Sequence, residues 1–192
     1  MEKNEKRALA WYQKAADQGD PRGMYCVGRA YDYGRGTERD IKAAVGWYQK
    51  AAEAGSVSAM CDLGVCYERG EGVEQNLEKA VELYRRAAER GDAIGQCNLG
   101  HMYESGRGVA KDWVQAAKWY GAAAEQGSPR AQYHLAWCYE HAAGVQQDLT
   151  KALALYEAAA AQQYEDAEKQ VQRLRKPPEK GKFLRGLFGR HG

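Results

Sequence analysis

Apolar residues recur along the chain at helical spacing, in blocks of about a dozen separated by short polar breaks that carry glycine. The pattern is clearest between Ser56 and Gly91. There Ala59, Leu63, Gly64 and Tyr67 share one helical stripe, and Gly70 and Gly72 interrupt the chain. Ala80, Leu83, Tyr84, Ala87 and Ala88 then form a second stripe, with Lys and Glu on its opposite face. Ser56 and Asn76 stand where side-chain N-caps are needed, and Gly91 stands where a left-handed residue closes the second helix. The segment therefore predicts two helices joined by a glycine turn.

That segment is one copy of a repeat. Tyr12, Tyr48, Tyr84, Tyr120 and Tyr156 are each 36 residues apart, and Ala pairs, turn glycines and caps keep the same register. Asp20, Asp92 and Ser128 match Ser56, Asp40, Asp112 and Asp148 match Asn76, and Pro21 and Pro129 occupy first helical positions. A helix pair of this size cannot enclose a core alone, so successive pairs must stack into an all-α solenoid. The register predicts a solenoid over residues 1–175: a leading helix near 5–18, four pairs over 20–163 and a trailing helix over 165–175. Residues 176–192 form a basic tail that is expected to be disordered, because it offers too little apolar surface to offset its ordering entropy.

The ends depart from the middle. Ala136, Ala142 and Gln163 replace glycines of the fourth unit, and Gln172 and Arg175 replace the Gly and Tyr of the trailing helix, which keeps only Ala167 and Val171 of its apolar stripe. This is the polar character of a capping helix. The start resembles a second helix without its first, which leaves three readings: a fragment of a longer array, an open face for self-association, or a fraying end.

Composition follows from the repeat more than it adds to it. The repeat positions hold 14 of the 22 glycines and 9 of the 13 tyrosines, so these abundances report architecture. The net charge of +2 conceals a contrast. From Arg173 to Gly192 there are seven basic residues and one acid, which leaves the rest of the chain at −4 and does not suggest nucleic-acid binding. No apolar run reaches the ~18 residues of a membrane span, and no secretory signal opens the chain, so a cytoplasmic location is expected. Both phenylalanines lie in the tail, where Phe183, Leu184, Leu187 and Phe188 stand among basic residues and offer a second candidate site for a membrane surface or partner groove.

Candidate chemistry is sparse. The five cysteines show no regular pairing and no zinc spacing, and Cys61 and Cys97 sit at equivalent positions on neighbouring helices, too far apart for an unstrained disulfide. His134 and His141 lie two turns apart, with His101 on the corresponding face of the preceding unit, but no ligand set at fixed spacing accompanies them. No metal or other cofactor is expected. The Gly106-Arg107-Gly108 segment lacks the strand and Lys-Ser/Thr context of a phosphate loop, and no nucleophile, base and oxyanion set emerges, so no enzyme activity is expected.

The string running from Ala59, Leu63, Gly64 and Tyr67 through Gly70, Gly72, Val73, Asn76, Lys79 and Ala80 to Tyr84, Ala87, Ala88 and Gly91 resembles the Sel1-like repeat, a relative of the tetratricopeptide repeat with a longer inter-helix turn. The resemblance implies a right-handed superhelix whose first helices line a concave face, and a scaffold or adaptor role with a protein or peptide partner. On those first helices the side opposite the stripe varies between units. The candidate binding residues there are Arg22, Tyr25, Arg29 and Tyr33, then Arg69 and His101, then Arg130, Tyr133, His134, Trp137 and His141, which are enriched in hot-spot types. The recurrent acids Asp32, Glu68, Glu104 and Glu140 lie near the same face but belong to the repeat, which points to a structural role.

Overall fold

A computed structural model describes residues 2–164 and 166–176. Its helices are α1 (Glu2–Asp17), α2 (Pro21–Tyr33), α3 (Ile41–Glu53), α4 (Val57–Arg69), α5 (Leu77–Glu89), α6 (Ala93–Ser105), α7 (Trp113–Glu125), α8 (Pro129–His141), α9 (Leu149–Ala161) and α10 (Ala167–Arg175), and no strand occurs among the described residues. Each helix packs on its predecessor and successor, giving an all-α solenoid in which α2, α4, α6 and α8 are the first helices and α3, α5, α7 and α9 the second helices of four units. Among non-consecutive pairs, α4 and α6 make the most extensive approach. No described helix is long and apolar enough to cross a membrane.

Local chemistry sets the helix ends. The side chains of Asp20, Ser56, Asp92 and Ser128 accept a backbone N–H of the first turn of α2, α4, α6 and α8, and Asp40, Asn76, Asp112 and Asp148 do the same for α3, α5, α7 and α9. Each such cap is worth about 1 kcal/mol. The inter-helix loop is tied back by backbone bonds, for example from Asn76 N to the Tyr67 carbonyl at 2.9 Å.

The conserved register of the repeat is explained by one contact. Tyr48, Tyr84, Tyr120 and Tyr156 are completely buried, and a Cβ added at Gly28, Gly64 or Gly100 would stand 2.7, 2.5 or 2.8 Å from the ring of Tyr48, Tyr84 or Tyr120. The glycine thus lets the first helix lie directly on the tyrosine of the second. In the fourth unit Ala136 takes the glycine position and Tyr156 is still fully buried.

The first helices are buried more broadly than a single stripe predicts. In α6 every residue from Gly95 to Gly100 is buried, and in α4 Met60, Cys61 and Cys66 join Ala59, Leu63 and Gly64. The extra contact comes from the adjacent unit: a first helix is wedged between the second helices before and after it. Cys61 and Cys97 are therefore packing residues, with Cys61 Sγ donating to Asp92 Oδ1 at 3.2 Å. All five thiols are unpaired, and burial pushes those of Cys66 and Cys138 up to about 12.

Candidate protein-binding face

The periodic acids form the floor of the face carried by α2, α4, α6 and α8. The hydroxyl of each buried tyrosine donates to the acid sixteen residues earlier: Tyr48 to Asp32 at 3.1 Å, Tyr84 to Glu68 at 2.9 Å, Tyr120 to Glu104, and Tyr156 to Glu140 at 3.2 Å. Cations from the following unit complete two of these sites. Arg107 reaches Glu68 at 2.6 Å, and Arg173 of α10 grips both oxygens of Glu140 at 2.5 and 2.7 Å. Burial and the facing carboxylates push all four phenols well above the usual range, so each tyrosine stays a neutral donor. These acids serve the frame, as their periodicity suggests.

Above this floor the variable residues assemble into three groups. In the first unit, Arg29 and Tyr33 are exposed, and the Arg29 guanidinium lies 5.8 Å from the ring of Tyr25 and 5.3 Å from that of Tyr33. Tyr25 itself donates to Asp62 of α4 at 2.9 Å, bridging two first helices, and burial raises the Asp62 carboxyl. Arg22 is exposed beside the α2 cap.

The middle group surrounds a cavity of about 200 Å³ lined by Val65, Glu68, Arg69, Tyr84, Asn98, His101 and Arg130. It brings together three of the sequence-predicted residues, Arg69, His101 and Arg130. Arg69 reaches Glu71 at 3.6 Å at its exposed rim. Burial first, then the charge of Arg130, lowers the basicity of His101, whose Nδ1 is buried without a hydrogen-bond partner.

The last group is largely absorbed into packing. His134 stacks on Tyr120 with centroids 4.9 Å apart, and its Nδ1 lies 3.3 Å from Glu104. Burial favours protonation of Glu104, but the hydrogen bonds from His134 and Tyr120 outweigh it and hold the carboxyl below its usual range. Tyr133 packs edge-on against Tyr156 and beside Tyr164. Trp137 is half-buried and stacks on Trp113 at 5.0 Å and on His141 at 4.3 Å, while His141 Nδ1 approaches the Trp137 carbonyl oxygen at 2.9 Å. The three histidines do not converge: the His101 and His134 rings are 6.4 Å apart, and His141 is engaged with Trp137. No group of three or more metal-binding side chains occurs among the described residues.

The open end differs from the interior. Tyr12 is 40% exposed where its four counterparts are fully buried, and Trp11 beside it is 69% exposed, because no first helix covers α1 among the described residues. Phe183, Leu184, Leu187 and Phe188, the candidate tail site, lie outside the described residues.

Comparison with known proteins agrees with this architecture. The Sel1 repeat profile matches residues 1–20, 21–56, 57–92, 93–128 and 129–164. A Sel1 repeat protein from Oxalobacter formigenes is 36% identical, with a TM-score of 0.82 over 89% of this chain and 68% of its own. The protective antigen c5321 of uropathogenic Escherichia coli, described as displaying an SLR fold, is 36% identical with a TM-score of 0.83; the match covers 88% of this chain but 36% of that one. Cysteine rich protein B of Helicobacter pylori is 28% identical with a TM-score of 0.55 over 68% of this chain and 94% of its own. No curated protein matches the chain.

Proposed function

Because the chain belongs to the Sel1 repeat family, whose members are generally protein-interaction scaffolds, we propose that it is a non-catalytic adaptor that captures a protein or peptide on the face of α2, α4, α6 and α8. One observation carries this reading. The acids of that face are turned down onto buried tyrosines, while Arg22, Arg29, Arg69 and Arg130 stand on it at positions the repeat does not fix. A partner thus meets a framework of fixed shape carrying variable cations and aromatics, the side chains that dominate binding energy at interfaces. The close approach of α4 and α6 supports placing this face on the inner side of the curve.

The first group supplies the cleanest test, since Arg29 and Tyr33 are exposed and Trp137 is tied into the packing. Affinity purification from native lysate is expected to recover a partner with the unaltered chain and with Lys118→Ala, an exposed change on α7. Arg29→Ala combined with Tyr33→Ala should lose that partner with helical circular dichroism unchanged. Retention by the double variant would remove this face from consideration.

A further inference from the structure

The repeat gives each pair of neighbouring first helices the same local frame, so the three inter-helix sites can be compared position by position. Asp62, Asn98 and His134 are equivalent, each 36 residues from the next. Between α2 and α4, Asp62 is occupied by the Tyr25 hydroxyl at 2.9 Å. Between α6 and α8, His134 fills the site, stacked on Tyr120 and 3.3 Å from Glu104. At the site between α4 and α6, Asn98 is only 9% exposed, yet its side chain makes no hydrogen bond among the described residues, and the space beside it is the ~200 Å³ cavity. Its amide atoms are not sealed off, since His101 Nδ1 is the one buried side-chain nitrogen or oxygen without a partner among the described residues, so the Asn98 amide is open to the cavity and free to bond a ligand atom.

Two further residues line the same cavity. His101 has its Nδ1 buried with no partner, and the part-exposed Arg130, from the start of α8, makes no ion pair among the described residues. The acid of the cavity, Glu68, is already met by Arg107 at 2.6 Å and by the Tyr84 hydroxyl at 2.9 Å. The groups left free toward the cavity are therefore the Asn98 amide and the positively charged Arg130 guanidinium, with the His101 ring in its wall. We infer that this cavity is a subsite for a carboxylate of the bound peptide, with Arg130 supplying charge and the Asn98 amide a neutral hydrogen bond, beside the His101 ring. The inference rests on the adaptor reading and specifies what the face recognises. A cavity of this size admits one carboxylate group and its neighbouring atoms, supplied either by an acidic side chain or by a chain terminus.

The test titrates the full chain, isotopically labelled, with three short peptides. One carries a single Glu and a C-terminal amide, one carries Gln with a free C-terminal carboxylate, and one carries Gln with the amide. Binding by either acidic peptide, with shifts centred on Asn98 and His101, is expected, and whichever of the two binds identifies the carboxylate source. The doubly neutral peptide should not bind there. Arg130→Ala should weaken binding about tenfold or more, the loss typical of one charged hydrogen bond, and Arg130→Lys should weaken it less. Asn98→His, which plugs the site as His134 plugs its neighbour, should abolish it. Arg130 faces His101 along with Glu104, His134 and Glu68, and burial and Arg130 together hold the imidazole neutral. A bound carboxylate opposes both, so the His101 titration should move upward on binding and affinity should rise as the pH falls through the range in which His101 takes up its proton. Equal response to all three peptides, or full binding by Arg130→Ala and Asn98→His, overturns the subsite. If carboxylate binding at this cavity fails while the partner is still lost with Arg29→Ala and Tyr33→Ala, the adaptor face stands and only the subsite falls.

Discussion

Tyr84 links core, frame and face in a single side chain. Its ring is wholly buried under Gly64, and its hydroxyl crosses to Glu68 on the helix above. The period of 36 makes both residues visible in the sequence, but their contact across 20 positions is a property of the stacked helices and is carried by no local spacing. A methyl group at Gly64 would meet the Tyr84 ring at 2.5 Å, and relieving that requires α4 to lift from α5. Gly64→Ala is therefore expected to cost about 2 kcal/mol and lower the thermal midpoint by roughly 4–8 °C in a chain of this size. Gly46→Ala is the control: it lies inside α3, where an added Cβ meets nothing within 4 Å, so helix propensity should raise stability by about 0.5–1 kcal/mol. Opposite signs in calorimetry locate the effect in the close approach; a loss in both would place it in the helix backbone.

At the scale of the helices, the sequence was most informative at their ends. Ser, Asp and Asn caps and left-handed glycines are local signals, and the helices start and stop on them within a residue or so. It was least informative about burial. Periodicity identifies the face that packs within a unit, whereas Met60, Cys61, Cys97 and Asn98 are buried outside that stripe, and nothing nearby in sequence marks them. Hence Asn98 reads as a variable surface position until its column, Asp62, Asn98 and His134, is compared in space. Helix α8 shows what the glycines at helix ends contribute: α2, α4 and α6 close on Gly34, Gly70 and Gly106 with φ of 65°, 72° and 70°, but α8 closes on Ala142 with φ of 55°. An alanine Cβ in that conformation costs roughly 1–2 kcal/mol, partly offset by the greater freedom a glycine has in the unfolded chain. Ala142→Gly should thus stabilise the chain by about 0.5–1 kcal/mol, seen as a higher urea midpoint with unchanged slope. A lower midpoint would show that the unfolded-state term dominates.

For the whole molecule, contacts that run mainly between consecutive helices make stability a sum along the stack. The same organisation separates the frame from the face: Tyr84 repeats unchanged and Gly64 and Glu68 nearly so, while Arg29, Asn98 and Arg130 vary, because the latter contribute little to closing a unit. It also sets how far damage travels. Leu99 of α6 is fully buried at the centre, and Val171 of α10, 3% exposed, packs with Ala136, Ala152 and Tyr156 at the end. Leu99→Ala should cost about 3 kcal/mol and Val171→Ala about 1–2 kcal/mol, but their reach should differ more than their size. In hydrogen exchange, Leu99→Ala is expected to lower protection in α4 to α9 together, since α6 joins the units on either side. Val171→Ala should release α10 and loosen α9 while leaving α4 to α6 at their original protection. If Val171→Ala instead depresses protection along the whole stack, the units unfold as one block, and a ligand held between α4 and α6 would then stabilise both ends equally.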